Sequence, residues 1–168
     1  MGRISVPQKR LGKVEAGQLG ALIKSVRDFK IFSDQKKLGE TALTKHLINY
    51  LKQQNIHFEN TKIDTAKFFG ETFRPEGLLR GSSKRYPLCA VECKKLDDKS
   101  AKIRWKEGLS QALLYGQKYK AVLYILFDYT KGAKYESAFG RGNRAENRFA
   151  KQLRETNLYI IAIKPTAM

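Results

Sequence analysis

The 168-residue chain is expected to be an α/β protein, on three observations. Leu19, Leu22, Ile23, Val26 and Phe29 recur every three or four residues, the spacing that puts apolar groups on one face of a helix. Residues 121–127, Ala-Val-Leu-Tyr-Ile-Leu-Phe, form an unbroken apolar run between Lys120 and Asp128, as a strand covered on both faces does. Two further strand-like stretches, residues 71–80 and 86–96, flank a turn-like Gly-Ser-Ser-Lys-Arg-Tyr-Pro segment and read as one hairpin. At 42% apolar, the chain is long enough for one domain with its own core.

In chain order, residues 1–14 are basic and carry Gly and Pro, so an arm is expected there, followed by a single domain over 15–168. The first helix is expected over 14–32. Ser33-Asp34 has the chemistry of a cap for a second helix reaching about residue 55. Leu43, Leu47 and Tyr50 or Leu51 form its apolar stripe, and Glu40 lies at the head of it. An unpaired carboxylate on a buried face is costly, so Glu40 is expected to be paired or to sit beside a metal. His46 falls one position off the stripe and reads as an ordinary exposed residue. A strand over 56–63 ends at Asp64, and the hairpin follows.

After a polar turn at 97–100, a helix is expected over 101–118. One side carries Trp105, Leu109, Ala112 and Gly116; the other carries Arg104, Gly108, Gln111 and Tyr115. Beyond the apolar strand, residues 134–156 read as a helix broken at Gly140-Arg141-Gly142, and 158–163 as a last strand. In that helix Arg141, Arg144, Arg148, Lys151 and Arg154 make a basic stripe suited to phosphates, while Ala138, Ala145, Phe149 and Leu153 are expected to face the core.

Composition narrows the function classes. Lys and Arg number 33 against 16 Asp and Glu, a net charge of +17, which favours a polyanionic partner, most commonly nucleic acid. No apolar run approaches the ~20 residues of a membrane span. The first residues lack the apolar segment of a secretory signal, so a soluble cytoplasmic protein is expected. Cys89 and Cys93 would lie roughly 13 Å apart on one strand, too far for a disulfide, and are expected to be small buried residues.

Side chains alternate along a strand, so Glu92 and Lys94 share a face while Val91 and Cys93 take the other. If the neighbouring strand pairs in register, Glu76 joins them. Two carboxylates and a lysine on one small patch bind a divalent metal and activate a water.

Read together, these segments resemble the PD-(D/E)XK, or restriction-endonuclease-like, nuclease superfamily over roughly residues 35–163. Pro75-Glu76 is similar to the first half of its motif and Glu92-Cys93-Lys94 to the second, with 15 residues between the two acids. Glu40 is similar to its upstream helical acid, and Gln111 to Tyr115 to the Q-x-x-x-Y helix of the RecB-like branch. The family's usual first acid is aspartate. Here it is Glu76, one methylene longer, with Asp64 as the alternative.

The resemblance implies a restriction-endonuclease-like core with a central mixed sheet of four to five strands flanked by helices. It implies Mg²⁺, replaceable by Mn²⁺, held by Glu76, Glu92 and Glu40. Lys94 would orient or deprotonate the attacking water, and Gln111 and Tyr115 would brace the metal shell or position substrate. Arg104, Arg141, Arg144, Arg148 and Lys151 would contact nucleic acid. The activity implied is DNA cleavage, foremost as an endonuclease. The alternatives are a RecB-like exonuclease or end-processing enzyme, or a non-catalytic nucleic-acid-binding protein of the same fold. Small junction-resolving, homing and restriction endonucleases, which the chain also resembles, act as dimers or tetramers, so a homodimer or higher homo-oligomer is implied, with no membrane partner.

Overall fold

Two adjacent, almost wholly buried strands organise the molecule. The computed structural model describes residues 11–56, 58–59, 66–68, 70–80, 87–139 and 144–167. Strand β6 (Pro87–Leu96) and strand β7 (Ala121–Asp128) run parallel, with Glu92 beside Tyr124 and Lys94 beside Leu126. Around them stand β2 (Phe58–Glu59), β5 (Gly77–Arg80) and β8 (Leu158–Ile163), in the order β2-β5-β6-β7-β8. β2, β5 and β6 pair antiparallel, and β6, β7 and β8 pair parallel, so the sheet is mixed.

Its two faces carry separate cores, as alternation along the strands requires. Cys89, Val91 and Cys93 with Leu123, Ile125 and Phe127 pack against helices α1 (Lys13–Asp28) and α2 (Glu40–Gln53), chiefly Leu19, Leu22, Val26, Leu43, Leu47 and Leu51. Ala90 and Leu96 with Val122, Tyr124 and Leu126 pack against Ala112, Tyr115 and Tyr119 at helix α3 (Ala101–Lys118). The same face receives Phe139 of α4 (Lys134–Phe139) and Leu153 of α5 (Arg144–Glu155). An α/β architecture with a mixed sheet between helices is therefore as expected. Cys89 and Cys93 are free and buried, and burial pushes the Cys89 thiol up to about 12. Among the described residues, no helix is long and apolar enough to cross a membrane.

Several expected boundaries move. Helix α1 begins at Lys13, inside the segment expected as an arm, and residues 1–10 lie outside the described residues. It stops at Asp28 rather than at 32, because β1 (Ile31–Phe32) pairs in parallel with β9 (Pro165–Thr166). Ser33-Asp34 opens a 3₁₀ turn (Ser33–Lys37), not the second helix. The Phe32 N–H donates to Gln35 Oε1, and Lys95 Nζ donates to the carbonyls of Lys36 and Leu38 at 2.5 and 2.7 Å. Those carbonyls are thereby taken from any continuing helix, and α2 starts afresh at Glu40.

The first hairpin strand is also two pieces. β4 (Glu71–Phe73) pairs with β3 (Ala66–Phe68), and β5 resumes at Gly77. Pro75 has no N–H for a ladder, so the chain bends there and leaves Glu76 at the head of β5. Gly77 is required at this point, since a Cβ would fall 1.5 Å from Phe58 Cε1. Of the strand expected over 56–63, Phe58 and Glu59 pair with Leu79 and Leu78. Asp64, and the helix break at 140–142, lie outside the described residues.

Helix α1 is tied to the α3–β7 corner through Glu15. Its carboxylate accepts the Gly12 N–H at 3.1 Å and Lys120 Nζ at 2.8 and 3.0 Å. The Lys120 bond, then the Gly12 N–H, hold its pKa below the ordinary value. A depressed carboxyl pKa contributes stability that is present above the unfolded value and is lost as pH falls through the folded one. Replacing Glu15→Gln should lower Tm at pH 7 by about 2–4 °C, about 1 kcal/mol, and the deficit should close as pH falls below about 4. Calorimetry across this range checks both the size and the sign.

Candidate active site

Three segments bring carboxylates together, and two of these acids pair with one lysine. Glu92 and Lys94 lie on the α3 side of β6, 2% and 8% exposed, and Lys94 Nζ donates to Glu92 Oε1 at 2.5 Å. Glu40, the first residue of α2, places Oε1 3.7 Å from the same ammonium. Its Oε2 accepts the Lys95 backbone N–H at 2.8 Å and the Arg104 guanidinium at 2.5 Å. One carboxylate thus joins α2, β6 and α3. Glu76 stands one step beyond the Gly77–Val91 pair, its N–H donating to Val91 O at 2.9 Å, which sets it beside Glu92.

The electrostatics follow from this crowding. Burial pushes the Glu92 pKa up to about 7; Lys94 opposes the shift, and Glu76 and Glu40 reinforce it. Burial also raises Glu76, against Lys94 and with Glu40. Burial would lower Lys94, but the carboxylates, Glu92 foremost, outweigh it and its pKa is raised. Among the described residues, three carboxylates, Glu40, Glu76 and Glu92, lie around two cations, Lys94 and Arg104, and a further cation would favour their charged forms.

Helix α3 closes over the patch at Gly108. A Cβ there would lie 2.4 Å from the Tyr124 hydroxyl and 2.6 Å from Lys94 Cγ, so only glycine allows this approach. Tyr124 donates its hydroxyl to Trp105 O at 2.9 Å, and the two rings stack 5.5 Å apart. Farther along, Tyr115 is buried, and burial and then the Glu92 charge hold its phenol protonated. Among the described residues, its hydroxyl completes no hydrogen bond of ordinary geometry, and neither does the buried Gln111 Oε1 one turn earlier.

Of the expected site residues, Glu40, Glu76, Glu92 and Lys94 come together, and Tyr115 stands beside Glu92. Arg104 turns its guanidinium onto Glu40. Arg148 and Lys151 are exposed on α5; Arg144 belongs to the same helix, and Arg141 lies outside the described residues. His46 is exposed. Sequence reasoning missed the parts played by Lys95, Tyr124 and Gly108. A glycine inside an otherwise strong helix was the available signal for the last of these.

Among the described residues, no three His, Cys, Asp or Glu side chains are gathered as a metal-holding group, and the Lys94 ammonium stands between Glu92 and Glu40 instead. The acids are nonetheless hard oxygen donors, the type that suits Mg²⁺ and Mn²⁺. No family model, curated protein or solved structure matches this chain.

Introducing a methyl group by Gly108→Ala should displace Lys94 or Tyr124 and lower Tm by about 2–12 °C, about 1–3 kcal/mol. Gly116→Ala, in the same helix, where a Cβ would meet no described atom beyond its neighbouring helix backbone within 4 Å, should instead stabilise by about 0.5–1 kcal/mol. Thermal unfolding of the two variants side by side reads the opposite signs.

Proposed function

We propose that this chain is a metal-dependent nuclease of the PD-(D/E)XK type, cutting DNA and foremost an endonuclease. The observation that carries this reading is the gathering of Glu40 and Glu92 on a buried lysine, with Glu76 beside Glu92 in the strand ladder. A fold gains little from collecting three carboxylates in a desolvated place, and replacing such buried ion pairs by apolar residues is often neutral or stabilising. Groups whose pKa values are pushed by burial and mutual charge cluster where chemistry is done. A restriction-endonuclease-like core accords with the mixed sheet, the acids at the start of β5 and within β6, and the helix bearing Gln111 and Tyr115.

Glu76 and Glu92, with Glu40, are the residues that would hold Mg²⁺ or Mn²⁺. When bound, such an ion polarises the scissile phosphate and lowers the pKa of its water. Lys94 offers a charged donor at the same place, fit to orient the water or to offset charge on the phosphate. Gln111 Oε1 and the Tyr115 hydroxyl are buried polar atoms with hydrogen-bonding capacity to spare, suited to hold substrate or a ligand water. Arg148 and Lys151 supply exposed cations for phosphates farther along the strand.

A second reading, a nucleic-acid-binding protein of this fold without cleavage, draws on the closed Lys94–Glu92 pair, which already partly neutralises the acid. Incubating the protein with linear, supercoiled, single-stranded and four-way-junction DNA, and with RNA, in Mg²⁺, Mn²⁺ or EDTA distinguishes them. Metal-dependent cuts are expected in DNA, falling by about 10²–10⁴-fold in Glu92→Ala and Lys94→Ala while binding persists. Unaltered protein that leaves every substrate intact with either metal would overturn the nuclease reading. Internal nicking of closed circles, as opposed to shortening from ends, separates an endonuclease from a RecB-like exonuclease.

A further inference from the structure

Among the described side chains of helix α5, one differs from its sequence expectation; Ala145, also expected to face the core, lies outside them. Phe149 was expected in the core with Leu153, but the helix turns Ala150 and Leu153 inward and leaves Phe149 38% exposed. Arg148, Lys151 and Arg154 are exposed as well, and among the described residues no carboxylate pairs with them. At about 100° per residue, the outward arc of α5 runs from Arg154 through Lys151, Glu155 and Arg148 to Gln152, and Phe149 borders its end. A face of three cations and one acid thus has an aromatic ring along its margin.

The placement relates this face to the candidate active site. Glu92 stands beside Tyr124, and Tyr124 beside Ile160, so β8 is two strands from Glu92, roughly 10 Å along the sheet. Leu153 of α5 and Ile160 of β8 belong to the core on the same side of the sheet that carries Glu92. Isolated exposed apolar residues are common. An aromatic bordering cations in a chain of net charge +17 has a specific use, because every base presents a π-face once it is unpaired.

We propose that the outward face of α5 binds single-stranded DNA, with Arg148 and Lys151 on phosphates and Phe149 stacked on an unpaired base. The proposal rests on the nuclease reading for its purpose and sharpens it, naming DNA with unpaired bases as the substrate class. A paired base offers the ring no face, so duplex DNA engages only the cations.

The test is fluorescence anisotropy with a labelled single strand of about 16 nucleotides and with its duplex, in EDTA so that nothing is cut. Phe149→Ala and Phe149→Leu should weaken single-strand binding by about 5- to 100-fold and leave duplex binding unchanged, while Phe149→Trp should retain single-strand affinity. Arg148→Ala combined with Lys151→Ala should weaken both, reducing the slope of log K against log salt on the single strand by about 1.4. Equal losses on both DNAs in the Phe149 variants, or none, would overturn the stacking role. Unchanged binding in the double variant would overturn the surface altogether. Cleavage in Mg²⁺, assayed on the same unaltered protein, tests the nuclease reading separately. Single-strand binding sensitive to Phe149 without any cleavage would uphold this surface and remove that reading.

Discussion

Lys94 is a buried ammonium whose charge is tolerated only because carboxylates surround it, and much of the architecture serves that arrangement. Desolvating each ion of such a pair costs several kcal/mol, and removing one partner of a buried pair typically costs about 3–5 kcal/mol. The pair with Glu92 lies within β6, two residues apart on one face, so the strand itself supplies the contact. Everything else must bring charge to it without bringing bulk. Gly108 does this from α3, letting the helix backbone come down beside Lys94 and Tyr124 where any side chain would collide.

Glu40 extends the same constraint across layers. Its two oxygens divide the work: one faces Lys94, the other accepts the Lys95 N–H and the Arg104 guanidinium. Lys95, pointing to the opposite face from Lys94, holds the carbonyls of Lys36 and Leu38, which end the 3₁₀ turn just ahead of α2. Neighbouring lysines on β6 thereby determine where α2 begins and so where its first carboxylate lands. The start of α2, the middle of β6 and the first turns of α3 form one connected unit.

The mixed sheet provides the remaining acid. An antiparallel neighbour sets Glu76 beside Glu92 within a short stretch of chain, whereas on the parallel side β7 and β8 set Tyr124 and then Ile160 next to it. The acid of β7, Asp128, lies at the far end of its strand and accepts the Thr130, Tyr135 and Glu136 N–H groups instead. The placement of Tyr124 keeps water from Glu92 on the β7 side and contributes to its raised pKa.

Periodicity carried most of the fold. The limits of α3, β7 and β8 agree with the expected spans to within a residue, because each is a strong apolar pattern ended by Lys, Asp or Asn-containing turns. The acids and the lysine of the site were legible too, since alternation in a strand places Glu92 and Lys94 together whatever packs above them. Other features were settled between segments distant in sequence. The stop of α1 at Asp28 follows from pairing with residues 165–166, and the restart of α2 at Glu40 follows from the Lys95 side chain. The partner of Arg104 lies 64 residues away, and Phe149 faces water because Ala150, not Phe149, fits against the core. Local pattern determines which face a residue takes on its own helix or strand; only the packed structure decides what that face meets, because contact depends on register and close approach between elements that no single segment encodes.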